Sequence, residues 1–182
     1  MQAVSGAGLS GPSALELLDN VIPWVPGEEE KMEQEVGKIL GRVEQGRPSP
    51  APIKVSAHCH RVPTIDGHLE AVSVKFARPA ALPAVREALE GFVGDEEVAK
   101  LPSSTASPLL VRDEPDRPQP RLDRDTGAGM TVVVGRLRPC GVLDARFVVL
   151  SHNTVRGAAG GALLNAELLA ARGLLRRGES PA

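Results

Sequence analysis

Strand-like patterns arrive in two consecutive pairs along this chain, with helical patterns before, between and after the pairs. The first pair is predicted over residues 53–59 (IKVSAHC) and 68–76 (HLEAVSVKF), where apolar and polar residues alternate. The second pair is predicted over 130–138 and 142–151. Because strands joined without an intervening helix pair antiparallel, we expect an α+β fold with a mixed, largely antiparallel sheet and helices on one face. Dimerisation is one way in which such a sheet covers its second face.

Helical periodicity predicts four helices around these strands. The first is short, over 14–21, with Ser13 as its N-cap and Glu16 at the capping-box position. The other three are expected over 28–43, 80–93 and 153–175.

Two segments lack such periodicity. Residues 97–128 are rich in proline and charge, which predicts an extended loop or an insertion. Residues 176–182 form a polar tail that we expect to be disordered. We therefore assign residues 1–175 to one domain that carries an internal loop.

Composition excludes several classes of function. Of the 182 residues, 2% are aromatic, so few side chains could stack on nucleic-acid bases. The formal net charge of -2 does not favour binding to a phosphate backbone. Its two cysteines are too few for a disulfide framework, which indicates a reducing compartment. We find no signal-peptide pattern and no apolar stretch of about 20 residues. We expect a cytoplasmic protein that binds neither nucleic acid nor membrane.

The stretch HCHRVPTIDGH, residues 58–68, concentrates titratable side chains. In an extended segment His58 and His60 share one face and Cys59 takes the other. A zinc site would need a further ligand, for example His68, and the sequence has neither a Cys-x-x-Cys pair nor a His-Glu-x-x-His helix. Ordinary strand histidines are the better interpretation of the first two, and we predict no metal site.

The second part of that stretch suits a defined loop. Pro63 fixes one φ angle and Gly67 permits an unusual one, so the backbone between Arg61 and His68 is predicted to be well defined. Arginine suits a carboxylate, and histidine exchanges protons near neutral pH. Any loop between strands carries turn residues, however, so the loop alone does not establish a site.

Two further motifs have both a structural and a functional interpretation. In GEEEK, residues 27–31, Glu28 and Lys31 share one helical face, which is typical of a solvated ion pair at a helix start. SGAG (5–8) and RGAAGG (156–161) are segments of small residues. Their backbone N–H groups could bind an anion or a ligand amide. Alternatively, the small side chains only allow close packing.

Taken together, the chain resembles the C-terminal half of the aspartate-semialdehyde dehydrogenases, in the branch found mainly in archaea and fungi. The matching pieces occur in the family's order from one terminus nearly to the other, and the weakest region is 97–128. These pieces are QAVSGAG (2–8), LDNVIPW (18–24), GEEEKMEQEVGKILG (27–41), HRVPTIDGH (60–68) and RFVVLSHNTVRGAAGGALLNAELL (146–169).

This resemblance implies a fold like the C-terminal domain of glyceraldehyde-3-phosphate-dehydrogenase-type enzymes. It also implies reduction of aspartyl phosphate with NADPH to aspartate semialdehyde and phosphate, a step in lysine, threonine and methionine biosynthesis. His68 would be the general acid/base, and Arg61 would hold the substrate carboxylate. Glu28 would contact the substrate amine, Lys31 its phosphate, and Gln2 would lie beside the substrate.

The resemblance further implies a cofactor-binding group and an oligomer. The residues near NADP(H) would be Ser5, Gly6, Ala7, Gly8, Asn153 and Gly157. The assembly would be a homodimer or homotetramer.

The chain also departs from the family's pattern. The family's nucleophilic cysteine lies in an Asn-x-x-Cys segment before the glutamine that matches Gln2, and Cys59 and Cys140 lie in other contexts, neither at a helix N-terminus that would lower its pKa. The nucleotide-binding half has no counterpart in this sequence. We therefore expect a fragment that needs a separate N-terminal half and is inactive alone. The alternatives are a catalytically dead dimerisation module and a domain like that of N-acetyl-glutamyl-phosphate reductase.

Overall fold

The computed structural model describes residues 1–8, 11–12 and 14–175, and these divide into two units. Unit 1 spans Met1–Thr64 and unit 2 begins at Ile65. The predicted N-cap Ser13 and the predicted tail 176–182 lie outside the described residues. Among the described helices, none has both the length and the apolar character required to cross a lipid bilayer.

Unit 1 contains two helices and a small hairpin. Its elements are a 3-10 turn (Val4–Ala7), α1 (Ala14–Leu17), α2 (Glu28–Ile39), β1 (Arg42–Glu44) and β2 (Arg47–Ser49). Helix α2 begins after Gly27 with three acidic residues in its first turn, where the helix dipole favours negative charge. The side chains of Ala3, Leu17, Val25, Cys59 and Val62 form the buried core.

The predicted boundaries in unit 1 are partly wrong. Helix α1 ends at Leu17 rather than at residue 21, and α2 ends at Ile39 because residues 42–49 form the β1–β2 hairpin. Gln45 and Gly46, the two turn residues of this hairpin, both have positive φ angles, of 52° and 76°. Such a turn matches the twist of two antiparallel strands, so the chain reverses where helical periodicity predicted one more turn.

The strand predicted over 53–59 is also wrong, since this segment belongs to no strand or sheet. Two of its backbone amides are bound by side chains of α2 instead. Glu33 Oε1 accepts a hydrogen bond from Ala57 N (3.0 Å), and Glu29 Oε1 accepts one from Cys59 N (2.7 Å). Carboxylates from a helix therefore take the place that a neighbouring strand normally has.

Unit 2 is built on a four-stranded mixed sheet in the order β3-β6-β5-β4. Strands β3–β6 and β6–β5 pair antiparallel, whereas β4 pairs parallel to β5. This confirms the predicted α+β class with a mixed, largely antiparallel sheet. The elements are β3 (His68–Val74), α3 (Leu82–Glu90), α4 (Glu96–Ala99), β4 (Leu109–Arg112), α5 (Pro120–Asp123), a 3-10 turn (Thr126–Gly129), β5 (Val132–Pro139), β6 (Ala145–Ser151), a π turn (Val155–Ala159) and α6 (Gly160–Ala171).

The core of unit 2 lies along β5 and β6, where Val133, Val134, Ala145 and Leu150 are almost fully buried. Leu150 faces Leu69 on one side and Val133 on the other in the strand register. Burying such a side chain contributes about 1.5–3 kcal/mol. Helix α3 packs against β4 and β5, and its Pro83 lies in the first turn, as predicted.

The segment 97–128 is more ordered than an extended loop, which corrects that prediction. It contains most of α4 and all of β4 and α5, and β4 supplies the edge strand of the sheet. Asp123, at the end of α5, is completely buried and accepts hydrogen bonds from Arg117 Nε (2.6 Å) and Gln119 N (2.7 Å). Charged residues that suggested a solvated loop therefore stabilise the turn between β4 and β5.

Candidate functional site

In unit 1, the segment 60–62 lies between two other pieces of chain. Gln2 N donates to His60 O (2.8 Å), and Val62 N donates to Gln2 O (3.1 Å). On the other side, Arg61 and Ile22 exchange both backbone hydrogen bonds, at 2.9 and 3.0 Å. Gln2 and Arg61, which are 59 positions apart by number (61 − 2), are thereby fixed as neighbours.

Three of the predicted site residues interact through their side chains. Gln2 Nε2 donates to Glu28 Oε2 (2.9 Å), and Lys31 Nζ lies 3.9 Å from Glu28 Oε1. The Glu28 side chain is 32% exposed and that of Lys31 is 55% exposed, so this ion pair is partly solvated. A pair of this kind contributes less than about 1 kcal/mol, and its accessibility leaves both groups able to meet a ligand.

Arg61 differs from these because it is buried, with a relative exposure of 7%. Its Nη1 donates to the carbonyl oxygen of Ala3 (2.7 Å). Within residues 1–8, 11–12 and 14–175, its guanidinium takes part in no ion pair. A buried cation without an acidic partner is costly unless a ligand supplies the negative charge.

Arg61 and Glu28 line a cavity of about 500 Å³ within unit 1. Its remaining walls are small or apolar and include Gly6, Ala7, Ile22 and Trp24. A volume of this size holds a small organic ligand. The cavity therefore offers one cation and one carboxylate on an otherwise apolar and side-chain-poor wall.

The predicted glycine loop 5–8 forms the 3-10 turn that contributes to this wall. Gly6 N and Gly8 N donate within the turn, to Ala3 O (3.3 Å) and Ser5 O (3.4 Å). Gly8 ends the turn with a φ of 65°, a conformation that glycine adopts readily. The loop thus presents a surface with little side-chain bulk rather than a ring of outward amides.

The other predicted site residues lie in unit 2. His68 is the first residue of β3 and pairs with Ser151 at the end of β6. Gly67 precedes it with a φ of 99°, which confirms the unusual backbone angle predicted there. Gly67 N donates to Asn153 Oδ1 (2.8 Å), so the side chain of Asn153 holds the backbone that presents His68.

Gly157 lies within the π turn that precedes α6, and its N–H donates to His152 O (3.0 Å). The helix predicted from 153 begins as this turn, and regular α-helix runs only from Gly160 to Ala171. π turns are frequent at functional sites. Of the predicted residues, the substrate-type group belongs to unit 1, and His68, Asn153 and Gly157 belong to unit 2.

Sequence reasoning missed several residues near these groups. Glu29 binds the backbone of Cys59, and Trp24 lines the cavity; the position of Trp24 between Pro23 and Pro26 was a usable signal. In unit 2, the buried His152 lies 3.6 Å from the Asp125 carboxylate and 3.2 Å from Thr154 Oγ1. No spacing in the sequence connects residue 152 with residue 125.

The two cysteines have different surroundings. Cys59 is buried, with its Sγ 3.5 Å from Met32 Sδ. Hydrogen bonds from the amides of Leu143 and Val142 lower the pKa of Cys140, and Ser73 and Arg146 act in the same direction. The amides of this turn therefore lower the thiol pKa as a helix N-terminus would.

The two histidines of HCHR, residues 58–61, do not belong to a cluster of potential metal ligands among the described residues. His58 is exposed and His60 half-buried. In the part of the chain that the structure describes, no three His, Cys, Asp or Glu side chains form a group that could hold a metal ion.

Comparison with known proteins gives a consistent result. The family described as "Semialdehyde dehydrogenase, dimerisation domain" matches residues 1–156. An aspartate-semialdehyde dehydrogenase of Archaeoglobus fulgidus is 52% identical over 169 residues, which cover 93% of this chain and 48% of the relative. One from Schizosaccharomyces pombe is 48% identical over 181 residues, covering 96% of this chain and 50% of the relative.

Solved structures agree with these sequence relatives. An aspartate-semialdehyde dehydrogenase from Candida albicans, solved with NADP, superposes with a TM-score of 0.87 at 44% identity, covering 96% of this chain and 50% of that one. An aspartate-semialdehyde dehydrogenase II from Vibrio cholerae gives a TM-score of 0.71 at 28% identity, with 93% and 52% covered. The chain therefore spans about half the length of the relatives it matches.

Proposed function

Because this chain belongs to the semialdehyde dehydrogenase family, through that family's dimerisation domain, we propose that it supplies the substrate-binding and acid/base groups of a cytoplasmic, NADP-dependent aspartate-semialdehyde dehydrogenase. The reaction converts aspartyl phosphate to aspartate semialdehyde and phosphate, towards lysine, threonine and methionine. The working assembly is a homodimer, or a homotetramer, that includes a nucleotide-binding N-terminal half.

The buried Arg61 is the observation that carries this proposal. Aspartyl phosphate carries a carboxylate, an amine and a phosphoryl group, and each of these charged groups needs a partner of opposite charge. Arg61 suits the carboxylate because a guanidinium pairs with it in a bidentate manner. Glu28 suits the amine, Lys31 suits the phosphate, and Gln2 orients Glu28 through its 2.9 Å hydrogen bond.

His68 is the proposed general acid/base. It takes a proton from the thiol of the nucleophilic cysteine, whose sulfur then displaces phosphate from the acyl phosphate to form a thioester. After reduction it exchanges a proton with the substrate oxygen, which is again a carbonyl once the carbon–sulfur bond breaks and releases the semialdehyde and the thiol. Asn153 and Gly67 fix the backbone from which the imidazole projects. The partner thiol is the one that the family carries in its Asn-x-x-Cys segment, since Cys59 is buried and Cys140 lies in a hairpin turn.

The proposed cofactor is NADP(H), which supplies the hydride when bound. The cavity wall of Gly6, Ala7, Ile22 and Trp24 suits a flat ring because it is small or apolar. From the family resemblance, Ser5 to Gly8 would lie in the glycine loop near the cofactor, and Asn153 and Gly157 would belong to the segment that closes over the nicotinamide. Their role is to hold the ring and exclude water from it.

A chimera tests this proposal. The half of the Archaeoglobus fulgidus relative that precedes the matched segment is fused to this chain, and phosphate-dependent reduction of NADP with aspartate semialdehyde is measured. We expect activity in the chimera and none in the chain alone. His68→Ala should lower kcat by about 10²–10⁴-fold, and Arg61→Lys should raise KM for the semialdehyde about 100-fold, since lysine cannot pair in a bidentate manner.

His58→Ala is the matched control, because that imidazole is exposed and lies three residues from Arg61. It should leave kcat and KM unchanged. A folded chimera without activity would favour a catalytically dead dimerisation module. If the chimera prefers N-acetyl-glutamyl phosphate over aspartyl phosphate, the chain would be assigned to the N-acetyl-glutamyl-phosphate reductases instead.

A further inference from the structure

Helix α2 binds the segment 51–59 at three successive turns. Glu29 Oε1 accepts from Cys59 N (2.7 Å), Glu33 Oε1 from Ala57 N (3.0 Å), and Gly37 O from Ala51 N (2.8 Å). The three acceptors follow one another at intervals of four residues, so they share one face of the helix. The segment runs antiparallel to α2, since the highest residue number pairs with the lowest.

The spacing of the two carboxylates explains how a helix can replace a strand. Positions 29 and 33 are separated by about 6 Å along a helix that rises about 1.5 Å per residue. The alternate amides of 57 and 59 are separated by about 6.6–6.8 Å along an extended chain. The two repeats match closely enough for both glutamate side chains to reach an amide.

This contact closes a ring of hydrogen bonds around the candidate site. Glu28 receives the side-chain amide of Gln2, and Gln2 N donates to His60 O. His60 follows Cys59, whose amide returns to Glu29, the neighbour of Glu28. The hydrogen bond of Glu29 is therefore one of the contacts that set Arg61 relative to Glu28, together with the backbone bonds of Arg61 to Ile22.

We propose that Glu29 is a positioning residue of the substrate site: its carboxylate holds the strand-like segment that carries Arg61 in register with Glu28. Among the described residues, the hydrogen bond that this carboxylate accepts comes from a backbone amide, so the carboxylate acts through Arg61 and not on a substrate directly. The identity of that substrate rests on the proposed function. The register of segment 57–61 against α2 is independent of the proposed function.

The first experiment uses the chain itself and measures amide hydrogen exchange at Cys59 together with alkylation of the buried Cys59 thiol. Glu29→Ala removes the acceptor, and we expect both rates to rise at least about 10-fold, as expected for local opening. Glu29→Gln keeps a carbonyl oxygen at the same reach and should stay within about 3-fold of the parent chain. Glu29→Asp keeps the charge but shortens the side chain, and should resemble Glu29→Ala.

Glu30→Ala is the matched control, because it removes the same charge from the same turn at an exposed position. It should change neither rate. If Glu29→Ala fails to fold, Glu33→Ala serves as the second variant and should raise exchange at Ala57 while leaving the fold intact. If Glu29→Ala and Glu33→Ala fold and their amide hydrogen exchange equals that of the parent chain, the proposal is overturned.

The second experiment places the same substitutions in the active chimera. Glu29→Ala should raise KM for aspartate semialdehyde about 10-fold with kcat within about 2-fold, and Glu29→Gln should restore most of the KM. Altered exchange at Cys59 with an unchanged KM would overturn the positioning role. An inactive unsubstituted chimera would count against the proposed function instead, and the exchange measurements would still decide whether Glu29 holds the segment.

Discussion

The side-chain amide of Gln2 donates a 2.9 Å hydrogen bond to the carboxylate of Glu28, across 26 positions in the sequence. The other carboxylate oxygen lies 3.9 Å from Lys31 Nζ. Glu28 is therefore held by a neutral donor on one side and by a cation on the other. This arrangement fixes the direction of the carboxylate while keeping it accessible, as the proposed contact with a substrate amine requires.

Removing this amide should weaken substrate binding more than catalysis. In the active chimera, Gln2→Ala is expected to raise KM for aspartate semialdehyde about 5–10-fold, which corresponds to the roughly 1 kcal/mol of one hydrogen bond. We expect kcat to stay within about 2-fold, and steady-state kinetics measure both. Gln34→Ala, at an exposed position of α2, is the control. An unchanged KM would show that the Gln2–Glu28 bond does not orient the site.

Trp24 should report ligand binding directly. It is the only tryptophan of the chain, it is 61% exposed, and it lines the cavity with Arg61 and Glu28. A ligand that enters the cavity will shield the indole from water. We expect a saturable change in tryptophan emission when aspartate semialdehyde or NADP is added to the chimera, and no such change in Trp24→Phe. Constant emission at concentrations that saturate activity would place the ligand elsewhere.

Asp123 should make stability depend on pH in the acid range. Burial raises the pKa of this carboxyl, but hydrogen bonds from Arg117 and from Gln119 N outweigh burial, so the pKa lies below its usual value. The folded state therefore binds this proton less readily than the unfolded chain, whose aspartates titrate near pH 3.9. The stabilisation is present above that pH and is lost as pH falls through the lower folded-state pKa.

Asp123→Asn should remove this pH dependence and lower the free energy of unfolding at pH 7 by about 3–5 kcal/mol, since it leaves two arginines, Arg117 and Arg112, without their shared carboxylate. Urea unfolding at pH 7 and at pH 3 measures both effects. Asp116→Asn, on an exposed side chain of the same segment, should change the unfolding free energy far less. Equal losses in the two variants would contradict the role given to Asp123.

The two cysteines should differ in reactivity. Amides of Leu143 and Val142 lower the pKa of Cys140, which increases its thiolate fraction, whereas Cys59 is only 2% exposed. We expect iodoacetamide at pH 7.5 to modify Cys140 at least about 10-fold faster than Cys59, as measured by peptide mass spectrometry. Ser73→Ala should slow the reaction of Cys140, because the Ser73 hydrogen bond also lowers its pKa. If Cys59 is labelled faster than Cys140, the surroundings described for the two thiols are wrong.

Much of the sheet was predictable because alternation of apolar and polar residues is a local property. Strands β3 and β6 lie within the predicted ranges, β5 ends one residue beyond its range, and the antiparallel pairing of β5 with β6 follows from their order along the chain. The pairing of β3 with β6 does not follow from that order, because the partner predicted for β3 was the segment 53–59. Strand β4 was missed because Leu109–Arg112 is a four-residue segment in a proline-rich region. Its parallel partner β5 begins 20 residues after β4 ends (132 − 112), and no local pattern indicates that pairing.

The candidate site shows the same division between local and distant information. The sequence by itself determined the acidic start of α2, the turn before His68 and, through the family's motifs, the set Gln2, Glu28, Lys31 and Arg61. Only the tertiary structure decided that Arg61 is buried without an acidic partner in the described residues, and that Glu29 and Glu33 bind a segment predicted to be a strand. Alternation predicts that a segment is extended, but which group accepts its amides depends on the element that packs beside it. Here that element is a helix, whose glutamates match the strand spacing.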